Sequence, residues 1–127
     1  SVGIHPLDVR TVTDGEDYIS EIRELAGSSA KVKAIGEIGL DYHYEGYSKE
    51  KQIKLFEKQI ILAKELDLPV IVHLREATAD GMALLKKYRP KGVIHCFSGS
   101  ADTAKEAVSL GMYLGFTGVL TGMRKRQ

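Results

Sequence analysis

The sequence predicts a parallel α/β protein and, within that class, a partial (β/α)8 TIM barrel with parallel strands alternating with helices. Three observations carry the prediction. Short apolar runs alternate along the chain with segments of helical periodicity. Three of those runs end abruptly on side chains able to hold a metal: Ala34-Ile35-Gly36 on Glu37, Val70-Ile71-Val72 on His73, and Gly92-Val93-Ile94 on His95. In a sheet of parallel strands joined by helices all the strand carboxyl ends lie on one face, so these three groups are expected to converge. The third observation is length. A complete barrel typically needs about 250 residues, and this chain has 127, which leaves a piece of a barrel or a small open α/β sheet.

The elements follow in order. Ser1 to Pro6 is too short for a whole strand, yet it ends on His5 as the later runs end on their polar groups, and it reads as the stump of a strand. Asp14 caps a helix whose first turn carries Glu16 and Asp17, with Tyr18, Ile22 and Leu25 as its apolar stripe and Gly27 as its stop. Lys31 to Gly36 is the next strand, and Gly39 to Gly46 is a loop above the converging groups. Ser48 caps the longest helix, which runs to about Leu66 with Ile53, Phe56, Ile60 and Ala63 on one face. Pro69 opens a strand to His73, a helix covers about Ala77 to Tyr88, and Gly92 to His95 is the following strand. Ser100 caps a helix to Leu110, Gly111 ends it, and Met112 to Phe116 is a strand ending at Thr117. The basic terminus Met123 to Gln127 is expected to fray.

A hydrophobic fraction of 43% with 28% charged residues is ordinary for a globular chain, and 18 basic against 17 acidic residues leave a net charge of +1. No global field therefore draws the chain to nucleic acid or membrane, and any nucleic-acid contact must be local. The single Cys96 excludes an internal disulfide, and no apolar run approaches the roughly 20 residues that span a bilayer. A cytoplasmic protein is expected.

One carboxylate and two imidazoles at separate strand ends form a donor set for a divalent metal, which would generate a nucleophile from water at neutral pH. A lone histidine is more often a satisfied structural residue than a ligand, but three groups in equivalent positions reverse that balance. Arg75 at the rim can clamp a phosphate or carboxylate, or else pair with Glu76. Ser98-Gly99-Ser100 precedes a helix whose first N–H groups bind anions, and plain N-capping by Ser100 accounts for the motif equally well. Asp41 is expected to hold a water or a histidine, or to shape the loop, with Tyr42 and His43 at the mouth. His5, at another strand end, is read either as approaching the site or, at least as readily, as a hydrogen-bonded structural residue, and is left outside the metal set, while Cys96 is assigned to packing.

At these residues the sequence resembles the TatD family of metal-dependent deoxyribonucleases, amidohydrolase-type TIM barrels. The carrying motifs are Gly3-Ile4-His5-Pro6, Ala34 to Tyr42, Leu68 to Arg75, His95-Cys96-Phe97-Ser98-Gly99-Ser100 and Phe116 to Thr121, in the family's order. The resemblance implies that Glu37 bridges two divalent metals (Mg, Mn or Zn), that His73 and His95 ligate one of them, and that Glu37 and Asp41 take part in catalysis. It implies DNA as substrate, with phosphodiester bonds hydrolysed through metal-activated water, and in that reading Arg75, Ser98, Gly99 and Ser100 would hold phosphates. The family's His-x-His and its late metal-ligand aspartate are absent, so residues 1–127 are expected to form a single partial domain, from the end of the third strand through the seventh. Leu7 and Glu76 also depart from the usual pattern. Two rival readings are a non-catalytic fragment that binds metal or a partner, and an amidohydrolase-type hydrolase of another ester or amide. Open barrel edges lead to an expectation of self-association, weak metal binding and poor nuclease activity for the chain alone.

Overall fold

The computed structural model of the protein describes residues 1–11, 15–28, 30–95, 97 and 100–115. Four parallel strands lie side by side in sequence order: β1 (Ile35–Asp41), β2 (Val70–Arg75), β3 (Gly92–Ile94) and β4 (Met112–Leu114). Each is joined to the next by a helix, α2 (Lys49–Glu65), α3 (Thr78–Tyr88) and α4 (Ala101–Ser109), and α1 (Gly15–Ser28) precedes β1. The predicted stump is seen as an isolated parallel bridge on the free side of β1, where the Val2 N–H reaches Ala34 O at 3.2 Å and the Gly36 N–H reaches Val2 O at 2.9 Å. This is the strand-helix alternation of a partial (β/α)8 barrel. Among the described residues no helix is long and apolar enough to cross a membrane.

The helices cover one face of the sheet. Val70, Val72, Ile38, Leu40 and Ile94 point into a core shared with Leu55, Phe56 and Ile60 of α2 and Leu85 of α3, all of them buried. Strand alternation sends Ile71, Val93 and Tyr113 the other way, toward the barrel interior, and they form one row across three strands. His73 lies two residues beyond Ile71, and His95 two beyond Val93. Alternation thus lifts both imidazoles onto the interior face, in the layer at the strand ends.

Two predicted elements are corrected, and one element was not predicted. The strand expected over Lys31 to Gly36 instead starts at Ile35 and runs to Asp41, so Glu37 lies inside it and Gly39 to Asp41 are strand rather than loop. The reason is a bulge: Gly36 pairs with Ile71 and Ile38 with Val72, which leaves Glu37 out of the ladder before pairing resumes at Gly39 opposite His73. In α1 the buried face is Ile19 and Ile22 with Ala26 packed beside them, whereas Tyr18 and Leu25 are exposed. Both sets satisfy a helical period, and the contact with α2 selects one. A short 3-10 helix at Pro6–Thr11 was not foreseen. The expected cap Asp14, and Phe116 to Gln127, lie outside the described residues.

Ser48 caps α2 as predicted, accepting the Lys51 N–H at 3.3 Å. The buried face of α2 also carries two glutamines one heptad apart, and each grips a strand-end backbone. Gln59 accepts the Ile4 N–H at 2.6 Å and donates to Ile4 O at 3.4 Å and Leu55 O at 3.1 Å. Gln52 accepts the Asp41 N–H at 2.8 Å and donates to Asp41 O at 2.9 Å. The two side-chain amides imitate a neighbouring strand for the residue before His5 and for Asp41 itself. Gln59→Leu keeps the volume but strands Ile4, and each buried backbone group so orphaned costs about 1–3 kcal/mol. The expected outcome is a loss of about 2–4 kcal/mol in urea unfolding and faster amide exchange at Ile4.

Candidate metal centre

Glu37, His73 and His95 come together at the strand ends, and the two carboxylate oxygens of Glu37 are divided between neighbours. Oε1 lies 3.2 Å from His5 Nε2 and 3.6 Å from His73 Nδ1, and Oε2 lies 3.3 Å from His95 Nδ1. The bulge makes this possible, because a side chain outside the ladder can turn over the sheet end rather than into the core. His95 sits one residue past β3, its N–H bonded to Val72 O at 2.8 Å.

His5 is the residue that the sequence reading placed outside this group. Its ring packs against that of His73 with centroids 4.7 Å apart, and the donor atoms of His5, Glu37 and His73 all lie within 4.8 Å of one another, close enough to share a metal ion. The Leu7 N–H donates to His5 Nδ1 at 3.1 Å. That contact assigns the neutral ring's proton to Nε2, so His5 donates a hydrogen bond to Glu37 and aims its carboxylate. The available signal was an apolar stretch ending on a histidine held by proline, the construction that singled out the other three.

Asp41 explains the orientation of His73. Its side chain is fully buried, Oδ2 lies 2.8 Å from His73 Nε2, and Oδ1 accepts the His43 N–H at 3.0 Å. A carboxylate on Nε2 holds the proton there and leaves the Nδ1 lone pair directed at Glu37, the carboxylate-histidine arrangement that suits metal ligation. His5, Glu37 and His73 therefore form a His/Glu/His group that could hold a metal ion, and His95 faces the other carboxylate oxygen of Glu37. Asp41→Asn replaces the acceptor with an amide of similar shape and releases the tautomer. Its expected effect is a 10- to 100-fold weaker affinity for manganese or zinc by calorimetry, with the melting temperature used to separate loss of the ligand from loss of the fold.

The surrounding residues are placed as follows. Arg75 ends β2 opposite Asp41, and its guanidinium lies 5.5 Å from the centre of the Tyr44 ring. Glu76, the partner named in the alternative reading of Arg75, lies 3.1 Å from His43. Ser100 is the N-cap of α4, accepting the Thr103 N–H at 3.2 Å. Cys96, Ser98 and Gly99 lie outside the described residues. Tyr42 donates to Asp80 of α3 at 2.9 Å and stacks on Tyr47. Burial, with Asp80 beside it, pushes the Tyr42 hydroxyl up, while the Tyr42 and Lys49 hydrogen bonds hold the Asp80 carboxyl below the ordinary range. A carboxyl lowered on folding stabilises above its unfolded pKa and loses that contribution as pH falls through its folded value. This contact should thus hold residues 42–48 at neutral pH and loosen in acid, seen as increased backbone mobility of that loop by NMR. Beside the metal-capable group, a cleft of about 280 Å³ opens between the 3-10 helix, this loop and the start of α2.

Comparisons with known proteins agree with this architecture. The family model for TatD related DNase matches residues 1–127. The uncharacterized metal-dependent hydrolase YabD of Bacillus subtilis is 43% identical over 124 residues, covering 95% of this chain and 48% of that protein. The 3'-5' ssDNA/RNA exonuclease TatD of Cronobacter sakazakii is 40% identical over 128 residues, covering 98% of this chain and 48% of that protein. Among solved structures, the TatD homolog YjjV of Escherichia coli K12 superposes with a TM-score of 0.84 at 34% identity, over 90% of this chain and 44% of that one. The chain spans about half the length of the curated relatives it matches.

Proposed function

We propose, from the premise that this chain belongs to the family of TatD related DNases, that it supplies much of the catalytic face of a metal-dependent phosphodiesterase acting on DNA. The observation that carries the reading is the division of the Glu37 carboxylate, with Oε1 toward His5 and His73 and Oε2 toward His95. A carboxylate so shared is suited to bridge two cations, and Glu37, His73 and His95 are the residues that would hold them. When bound, divalent ions supply Lewis acidity and an activated water at neutral pH. The chain's own residues do the rest. Asp41 fixes the His73 tautomer, His5 aims Glu37, and Arg75 stands at the rim where a planar guanidinium can take two phosphate oxygens. Ser98, Gly99 and Ser100 remain the proposed second phosphate contact. The name of the Cronobacter relative supports a nucleic-acid substrate.

Residues 1–127 are read as one partial barrel domain, and the activity is assigned to the assembled barrel. The test mixes this chain with a polypeptide carrying the remaining half of the Bacillus relative's barrel, then assays a single-stranded oligonucleotide with manganese. Cleavage that needs both pieces and metal supports the reading. Turnover of ester or amide substrates with no phosphodiester cleavage overturns it, and metal binding without any turnover points to a non-catalytic module.

A further inference from the structure

We propose that the cleft beside the metal-capable group is a subsite for the nucleobase next to the cleaved phosphate, an inference that rests on the phosphodiesterase reading above. Its position is the first argument. The cleft is walled by Asp41, whose carboxylate holds His73, and by Pro6, which follows His5, so a ligand seated there lies against residues that adjoin the metal-capable group. Its size is the second. About 280 Å³ lies at the lower end of small-ligand clefts, enough for a base and sugar but not for several stacked nucleotides.

The walls give the third argument. Leu7 and Val9 give the cleft an apolar lining, and Tyr44 and Tyr47 add two aromatic rings to it. Both tyrosines are held in place by other contacts. Tyr47 stacks on Tyr42 with ring centres 4.8 Å apart and planes 11° from parallel, and Tyr44 has the His43 ring edge-on at 4.8 Å with the Arg75 guanidinium over it. Even so, Tyr44 stays 51% exposed and Tyr47 41% exposed, so ring surface is left for a ligand. A fixed aromatic surface beside a guanidinium at a phosphate site matches how single-stranded nucleic acid is held, with bases on rings and phosphate on cations.

The chemistry of the wall also sets the selectivity. Both Asp41 oxygens are taken, by His73 and by the His43 N–H. Both ends of the Gln52 amide are bound to the Asp41 backbone, and the Ser48 hydroxyl accepts the Lys51 N–H. Those contacts occupy Asp41, Gln52 and the Ser48 acceptor, and although the exposed Glu45 also lines the cleft, the surface it offers is chiefly aromatic and apolar, suited to the π-face common to every base rather than to one base's hydrogen-bonding edge. The subsite is therefore tolerant of sequence.

The experiment titrates the chain by NMR with each of the four deoxynucleoside 5'-monophosphates and with 2-deoxyribose 5-phosphate, all in a chelator. The expected result is that the four nucleotides bind within about tenfold of one another, and that the sugar phosphate binds about tenfold or more weakly. Tyr44→Leu should weaken the nucleotides about tenfold without changing the sugar phosphate, while Tyr44→Phe, which keeps the ring, should match the parent. The exposure of Tyr44 means that neither variant threatens the fold. Equal binding of the sugar phosphate, one base favoured far above the rest, or no effect of Tyr44→Leu would overturn the subsite. No metal or cleavage enters the measurement. Nucleotide binding as expected in a protein that cleaves no phosphodiester would keep the subsite and remove the activity, and cleavage without base-dependent binding would do the reverse.

Discussion

Glu37→Gln is expected to eliminate metal-dependent cleavage by the assembled barrel while leaving the chain folded. The substitution preserves shape but removes the negative charge and turns one of the two acceptor oxygens into a donor. Glu37 faces His5 and His73 with one oxygen and His95 with the other, so an amide cannot serve both sides as an anion. Losing the carboxylate proposed to hold the cations would forfeit binding worth several kcal/mol in charge stabilisation, and each 1.36 kcal/mol is tenfold in rate. A fall of roughly three orders of magnitude or more in oligonucleotide cleavage is therefore expected, with manganese binding lost in calorimetry. The fold should be indifferent, because Glu37 sits in the bulge, outside the ladder, with a side chain 30% exposed. Activity within tenfold of the parent would remove Glu37 from the proposed role.

The parts of this molecule that the sequence made legible are those in which one local rule acts alone. The α2 helix is read closely because Ser48 is a strong N-cap and Pro69 follows the end, and β2 to β4 are read as parallel because each apolar run is separated from the next by a helix. What was not legible depends on partners distant in sequence. Glycines on either side of an acid read as the end of a strand, but in the folded chain Gly36 and Gly39 mark a bulge and a close backbone approach, after which pairing resumes. Tyr18 and Leu25 fit a helical stripe as well as Ile19 and Ala26 do, and only packing against α2 distinguishes them. Gln52 and Gln59 look like the polar side of an amphipathic helix until the backbone groups that they satisfy are known. At the metal-capable group, the types and positions of Glu37, His73 and His95 were readable, whereas the aim of each ring was not. Tautomers are set by Asp41 and Leu7, contacts that no spacing rule contains.

Gly39→Ala should be among the most damaging substitutions to the fold, and its damage should reach the metal-capable group. Gly39 has φ +145°, a region L side chains rarely adopt, and an added Cβ would lie 1.9 Å from His73 O and 2.9 Å from His73 C. The obstacle is the backbone of the adjacent strand rather than a side chain that can rotate away. Relief therefore requires β1 and β2 to part at the Gly39 and His73 pair, which also draws His73 from Asp41 and Glu37. A cost above about 4 kcal/mol is expected, a large share of the 5–15 kcal/mol that stabilises an ordinary domain. For a chain of this size that lowers the melting temperature by about 15 °C or prevents folding. Gly111→Ala supplies the control, since Gly111 also has positive φ, +88°, but an added Cβ there meets nothing within 4 Å. Its cost is conformational alone, about 1–2 kcal/mol. Thermal unfolding of the two variants followed by circular dichroism makes the comparison, and calorimetry with manganese on any folded Gly39→Ala protein reports the second effect. Melting temperatures within a few degrees of each other would show that the strands separate at little cost, and that the bulge is not what holds His73 against Glu37.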